Sequence, residues 1–471
     1  MSRQRKHVAV VGAGLAGLLA ARELRRQGAS VTVYEAGKQV AGLARSFTDS
    51  DGFTYDFGAH FITNRLAAAL GVGADCRDVR YYGESVFLNG RVYSYPFGLI
   101  RSPRFLLSAV ATRLRRRDAA PAASAADWYR REYGPALAEE VAIPLVEAWS
   151  GAPATELAPT VIPPQVDRGT VHVMRLRLAS RLSGRAVANG YSREKPESPH
   201  VWHVYPTGSL GLLCERLAGG LDGCVRLESP VEAIMVEDDR VLGVRVNGRE
   251  EEAEAVVSTA PVHILPKLVR GSDAVRHLSG FRYRPMVMVN MKFRGRGLLP
   301  DVVNWIPDRR FPFFRLTEAT RSMPWLAPAG KTIVTVDIGC EAGDDIWRMA
   351  DETLGEFCHR HLVELFPTLR DRYLGCAVLR TPIAHPVFLK AYETERLALE
   401  NTLPIAGLYS VGRNGEFAHI LMEDVYWRTL AKMRRVTAFL DTLPARARLV
   451  SGDIMDGHPS AAISSERHGS H

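Results

Sequence analysis

Cysteine is sparse and unorganised: Cys76, Cys214, Cys224, Cys340, Cys358 and Cys376 form no CxxC pair and no spacing interleaved with histidines. That scatter argues against a disulfide framework and against a zinc site, so no metal is expected. Long apolar runs are missing too, none approaching the roughly 18 residues of a membrane span. The charged start, Met1 to His7, passes at once into a buried-strand run, which leaves no room for a cleavable leader. A reduced, cytoplasmic location is the expectation. Lysine is scarce beside arginine, and 60 basic against 52 acidic residues leave a formal charge of +8. The excess suits an acidic or phosphate-bearing substrate or an anionic membrane surface, and equally an arginine-rich proteome. No nucleic-acid partner is expected.

What is present begins at His7. Val8 to Val11 reads as a strand, and Gly12-Ala13-Gly14-Leu15-Ala16-Gly17 leads into a helical run that stops at Gly28. Ser30 to Tyr34 is a second strand, which delivers Glu35. In such a unit Gly12 makes the tight turn, Gly14 admits the backbone to a pyrophosphate and Gly17 lets helix and strand pack closely. The helix N-terminus faces the phosphates, and Glu35 lies near the roughly 20-residue spacing at which an acid accepts ribose hydroxyls. A 2′-phosphate would be repelled there. The unit predicts a dinucleotide site and leaves FAD and NAD both open.

Further along stand Ala41-Gly42-Leu43-Ala44-Arg45 and Phe53-Thr54-Tyr55-Asp56-Phe57-Gly58-Ala59-His60. Acid, short loop, Gly-Gly-x-x-Arg and F-D-x-G-x-H together resemble the FAD superfamily of amine oxidases, protoporphyrinogen oxidases, carotenoid desaturases and UDP-galactopyranose mutases. Ala41 stands where that family has its first glycine. The resemblance implies FAD as cofactor, Arg45 facing its phosphates or ring, and the Gly58-Ala59-His60 loop beside the isoalloxazine. NGRVYSYPF, in a hairpin turned at Asn89-Gly90, resembles the entrance to the substrate domain in protoporphyrinogen oxidase and mutase relatives. The backbone at Val231 is implied at the adenine edge. A third motif, Gly412-Arg413-Asn414-Gly415-Glu416-Phe417-Ala418-His419 with a helix from about Met422, resembles G-R-x-G-x-F…N-M-D and aims a helix N-terminus at the flavin N1–C2=O edge. Leu421 and Glu423 replace the usual Asn and Asp.

The strand Met286 to Phe293 corresponds to the one that carries a flavin-bridging lysine in amine oxidases; that place falls on Met288, with Lys292 on the same face read as a solvated lysine. Residues 100–117 read as a basic helix, either a solvated face or a weak contact with a membrane surface. The polar segment from Gly184 to Pro199 reads as a flexible loop near the active-site mouth or an idle insertion.

The expected fold is α/β: a discontinuous Rossmann-like FAD-binding domain (1–75, 204–275 and 395–443) with an inserted α+β substrate domain (76–203 and 276–394) and a disordered tail (444–471). The expected function is oxidation of a small organic substrate by hydride abstraction from a C–N or C–C bond, with O2 or another electron acceptor. The missing lysine tilts this toward C–C desaturation. The alternative is a redox-neutral flavin mutase acting on a nucleotide sugar, with Arg413 gripping a diphosphate. Proteins that escort small GTPases share the fold without FAD, and their phosphate loop is not intact as it is here. His60 and His419 are the candidate proton-relay groups.

Overall fold

The computed structural model describes residues 5–58, 61–95, 97–114, 121–162, 170–399 and 403–444. Ala59, His60, the arginines at 115–117 and nearly all of the expected tail lie outside the described residues.

β1 (His7–Val11), α1 (Leu15–Arg26) and β2 (Ser30–Tyr34) follow the expected order. Period-two alternation divides β1 between two cores. Val8 and Val10 join Leu18, Leu19 and Leu24 of α1, whereas Ala9 and Val11 cluster with Ile234 and Val244. The parent sheet is parallel throughout, in the order Val225–Arg226, β2, β1, Ala255–Ser258, Leu408–Ser410. Parallel neighbours need crossover connections. Here three of the strands return from far along the chain, so the sheet is completed only after other structure has been inserted. The helix Met422–Thr442 packs on α1 through Met433 and Val436.

Against the other side lies a four-stranded sheet ordered Arg249–Glu252, Arg240–Val246, Val231–Glu237, Val269–Arg270. Its turns are written in the sequence. Asp238 and Asp239 have φ of 48° and 52°, and Asn247 and Gly248 have 49° and 73°. Positive φ at both central residues gives the turn whose twist matches paired strands, and Asn, Asp and Gly tolerate it. Asn89 and Gly90, at 52° and 73°, turn the hairpin Glu84–Leu88/Arg91–Ser94 in the same way.

That hairpin joins a seven-stranded sheet ordered Tyr373–Pro386, Tyr283–Arg294, Lys331–Gly339, Arg315–Thr317, Val303–Trp305, Glu84–Leu88, Arg91–Ser94. Alternation again assigns its faces. Val287, Val289, Met291 and Phe293 are buried with Leu354, Cys358 and Leu362 of the helix Asp351–Leu365. Met286 and Met288 point the opposite way, to Phe57, Trp149 and Ala384.

Several helical stretches are broken for local reasons. Asp345–Arg348 is separate from Asp351–Leu365 because Asp344 caps a turn of its own, accepting from the Trp347 N–H at 2.8 Å. The stretch from 128 to 149 breaks at Gly134, whose φ of +79° is left-handed. The basic stretch resolves into Phe97–Ile100 and Pro103–Leu114.

Candidate functional site

The turn after β1 is built as the glycines require. Gly12 has φ +95°, and a Cβ placed on it would lie 2.3 Å from Thr259 Oγ1. A Cβ on Gly17 would lie 1.9 Å from the Gly12 carbonyl oxygen, so helix and turn touch only because both side chains are missing. Gly14 caps α1 with extended backbone and no side-chain cap, and its Cβ position meets nothing nearer than the Ala41 carbonyl at 4.0 Å. Leu15 and Ala16 open the helix, and its first turn is aimed outward from this gap. Glu35 closes the loop: its carboxylate accepts from the Ala13 N–H at 2.7 Å and from the Gly37 N–H at 2.8 Å. The Ser229 N–H donates to the Glu35 carbonyl at 2.8 Å, which brings the approach to Val231 alongside Glu35.

The second motif docks on the first. The Ala41 N–H donates to the Ala13 carbonyl at 2.9 Å, and Gly42 to Ala44 form a single tight turn that carries Leu43 and leads to Arg45. Ala41 adopts φ +89° and Gly42 φ +51°, so the position lacking its usual glycine keeps a glycine's conformation. Arg45 lies 4.9 Å from the Phe47 ring, and its Nε is buried with no hydrogen-bond partner. An open glycine at an uncapped helix start, an acid at the end of β2 and an orphaned buried guanidinium nitrogen fit a dinucleotide diphosphate. Arg45 and the α1 N-terminus are the groups that could hold the diphosphate, and Glu35 stands where an acid could accept the ribose hydroxyls.

The third motif brings the far end of the chain to the same place. Gly412 has φ +82°, and its Cβ would stand 2.6 Å from that of Ala16. The helix beginning at Met422 has no side-chain cap. Its first-turn acids are spent on packing. Glu423 accepts from Thr63 at 2.8 Å and pairs with Arg65, while Asp424 accepts from Ser192 and the Arg193 N–H. Those bonds, with Glu197 accepting from the Ser192 N–H at 2.9 Å, pin the segment expected to be a flexible loop.

Between this motif and the seven-stranded sheet Arg413, His385, His419 and Trp149 form a polar cluster. Arg413 donates through Nη1 to the Ile420 carbonyl at 3.2 Å, and through Nη2 to the Ala384 carbonyl at 3.3 Å and His385 Nδ1 at 2.7 Å. The last bond places the His385 proton on Nε2. No carboxylate pairs with Arg413 among the described residues, and burial lowers its pKa to about 10 with Arg315 adding to the effect. His419 lies edge-on to Trp149 at 5.2 Å and tilted to His385 at 5.6 Å, its Nδ1 buried without a partner. Burial, reinforced by Arg413, holds both imidazoles neutral with pKa values well below the ordinary histidine range.

The sheet contributes Arg315, paired in register with Asp337 and bonded to it through Nε. Asp337 is fully buried, and its Oδ1 is unpartnered, as are Asn290 Nδ2 and Thr317 Oγ1 nearby. Burial pushes the Asp337 carboxyl up while Arg315 pulls against that rise. Arg315 also approaches Gly58, whose Cβ position is 3.4 Å from Nη2, so it sits behind the loop that carries the second motif. A cleft there is lined by Asp56, Gly58, Phe61, Thr317 and Thr335.

Of the expected groups, this cluster holds His419 and Arg413; His60 and Ala59 lie outside the described residues. The partners that Arg413 has here are two carbonyls and an imidazole. Lys292 is not solvated. It pairs with Asp49 at 2.6 Å and Asp51 at 3.0 Å and is only 13% exposed. Sequence reasoning missed Arg315, Asp337, His385 and Trp149, which no motif marks.

The family model described as flavin containing amine oxidoreductase matches residues 15–424. In overall structure the chain is similar to a reduced UDP-galactopyranose mutase, with a TM-score of 0.75 at 19% identity over 92% of this chain and 94% of that one. It is similar also to an Exiguobacterium protein assigned as a protoporphyrinogen oxidase, with a TM-score of 0.72 at 18% identity over 93% and 99%. Among curated proteins, the flavin-containing monooxygenase FMO GS-OX1 of Arabidopsis thaliana is 57% identical over 53 residues. That match spans 11% of this chain and 12% of the plant protein's length.

Proposed function

Because the chain belongs to the flavin containing amine oxidoreductase family, we propose that it is an FAD-dependent oxidoreductase taking a hydride from a C–C or C–N bond of a small organic substrate. When bound, FAD supplies the two-electron acceptor. The chain's own residues do the rest. Arg45, Glu35 and the α1 N-terminus bind the diphosphate and ribose. Trp149, Met288 and Phe57 exclude water.

The observation that carries this reading is the His419 imidazole, whose Nδ1 is buried without a partner against Trp149 and His385, close to Arg413. As a hydride leaves carbon with its electron pair, the proton from the adjacent C–H or N–H goes to His419 Nδ1. Arg413 offsets the negative charge gained on reduction, and in that state no longer opposes protonation of the imidazole. Met288 at the lysine position, with Lys292 held by two aspartates, favours C–C desaturation. The engagement of both Arg413 terminal nitrogens by protein acceptors weighs against a diphosphate-gripping mutase. We place the substrate domain at 76–203 and 276–394, with O2 or another acceptor taking the electrons.

The test is His419→Asn, loaded with FAD and assayed over a panel of amines and reduced ring compounds. A general base contributes about 10²–10⁴-fold, so kcat falls by that factor with KM little changed. Wild-type turnover matched by the variant removes His419 from the reaction.

A further inference from the structure

Two helices carry apolar residues on the side that the core does not use. Pro103–Leu114 turns Leu106, Leu107, Val110 and Leu114 outward, the last 77% exposed. Thr170–Ser183 turns out Met174, Leu178 and Leu182, the last 80% exposed. Spacing of three and four residues puts each set on one helical face. Neither helix lacks an inner face, since Phe105, Val173 and Leu176 are buried. The outward leucines are therefore additional to those that hold the helices down.

The charges point the same way. Neither helix contains an acidic residue, in a chain that has 52. Arg113, Arg175 and Arg181 are exposed among the leucines, while Arg104 is partly used by Glu140. The two helices flank one segment: Phe105 packs in the cluster beside Tyr95, and Arg177 donates to the Tyr95 carbonyl at 2.6 Å. A helix face that meets bulk water carries polar residues outward. Leucine and methionine outside with arginine between them match the boundary of headgroups and acyl chains, where the apolar side chains enter and the guanidinium groups bind lipid phosphates.

We propose that these two helices dock the protein reversibly on an anionic bilayer, lying in the plane of the headgroups. No helix among the described residues is long and apolar enough to cross a membrane, so the contact is peripheral. A second copy of the chain would set arginine against arginine, which opposes self-association through this surface.

The FAD-loaded protein is sedimented with sucrose-filled vesicles of phosphatidylcholine alone, or of phosphatidylcholine with about a third phosphatidylglycerol. The expected result is binding to the anionic vesicles at least about tenfold tighter than to the neutral ones, weakened by high salt. The double substitution Leu107→Glu with Leu178→Glu lowers that binding at least about tenfold while the flavin spectrum is retained. Should that variant emerge colourless, Arg113→Gln with Arg181→Gln tests the same surface, with loss of the salt-sensitive part expected. Wild-type protein that stays in the supernatant with both vesicles overturns the proposal. So does a dimer seen by light scattering that either double substitution converts to monomer, which would give the surface to a second copy.

Discussion

Arg413 Nη2 donates to His385 Nδ1 at 2.7 Å, and this bond settles both the imidazole's tautomer and the direction in which the arginine's charge is aimed. The acceptors on this guanidinium are two carbonyls and a neutral ring, so its charge has no counter-ion among the described residues. A buried cation of that kind favours any neighbour that becomes negative.

Arg413→Met therefore lowers the midpoint potential of the bound flavin. A fall of roughly 30–60 mV is expected, the two-electron equivalent of about 1.4–2.8 kcal/mol. Equilibration of the bound flavin with reference dyes reads it directly; an unchanged potential would place Arg413 outside the cofactor's field.

Ala41→Gly stabilises the protein. The alanine is buried with φ +89°, a left-handed conformation that costs a residue with a Cβ about 1–2 kcal/mol. Glycine returns part of that through its freer unfolded chain, leaving a net gain of about 0.5–1 kcal/mol. Thermal unfolding should show a higher Tm, and a lower one would mean that the Cβ is needed for packing.

Gly17→Ala acts on cofactor binding. Its Cβ would arrive 1.9 Å from the Gly12 carbonyl oxygen, so either the turn or α1 must move from the diphosphate. FAD affinity is expected to fall at least about 100-fold, near 2.7 kcal/mol, and the purified variant should be largely colourless. Retention of stoichiometric FAD contradicts the assigned role of this turn.

Asp56 gives stability a pH dependence of known sign. Burial raises its pKa from 3.8 to about 6, against the hydrogen bonds from Ser46 and Tyr205. A folded pKa above the unfolded one means that this group's contribution is fully present below about pH 4 and is lost as the pH rises through about 6. Asp56→Asn is expected to match the wild type near pH 4 and to exceed it by about 1–2 kcal/mol at pH 8. Urea unfolding at the two pH values measures the difference; a variant weaker than wild type at pH 8 shows that the ionised carboxylate is required.

How far the sequence could be read depended on the range of the contacts. Gly12, Gly17 and Glu35 act on neighbours within one strand–helix–strand unit, and the hairpins at Asn89, Asp238 and Asn247 depend on two residues each, so local rules reach them. Arg315 and Asp337 meet only because two strands of the seven-stranded sheet pair in one register, which no local pattern displays. Lys292 was misread for the same reason: its partners, Asp49 and Asp51, belong to a turn near the start of the chain. His385 and Trp149 come from separate elements that converge on His419 only in the folded protein.

The most direct test of the oxidative reading is to reduce the FAD-loaded protein without air and then mix it with air-saturated buffer or with a quinone, following the flavin absorbance and assaying peroxide. Prompt return of the oxidised flavin spectrum with one of these acceptors, accompanied by peroxide where dioxygen is the acceptor, is the predicted result. Flavin that remains reduced in both mixtures would contradict it and turn the account toward a redox-neutral flavoenzyme.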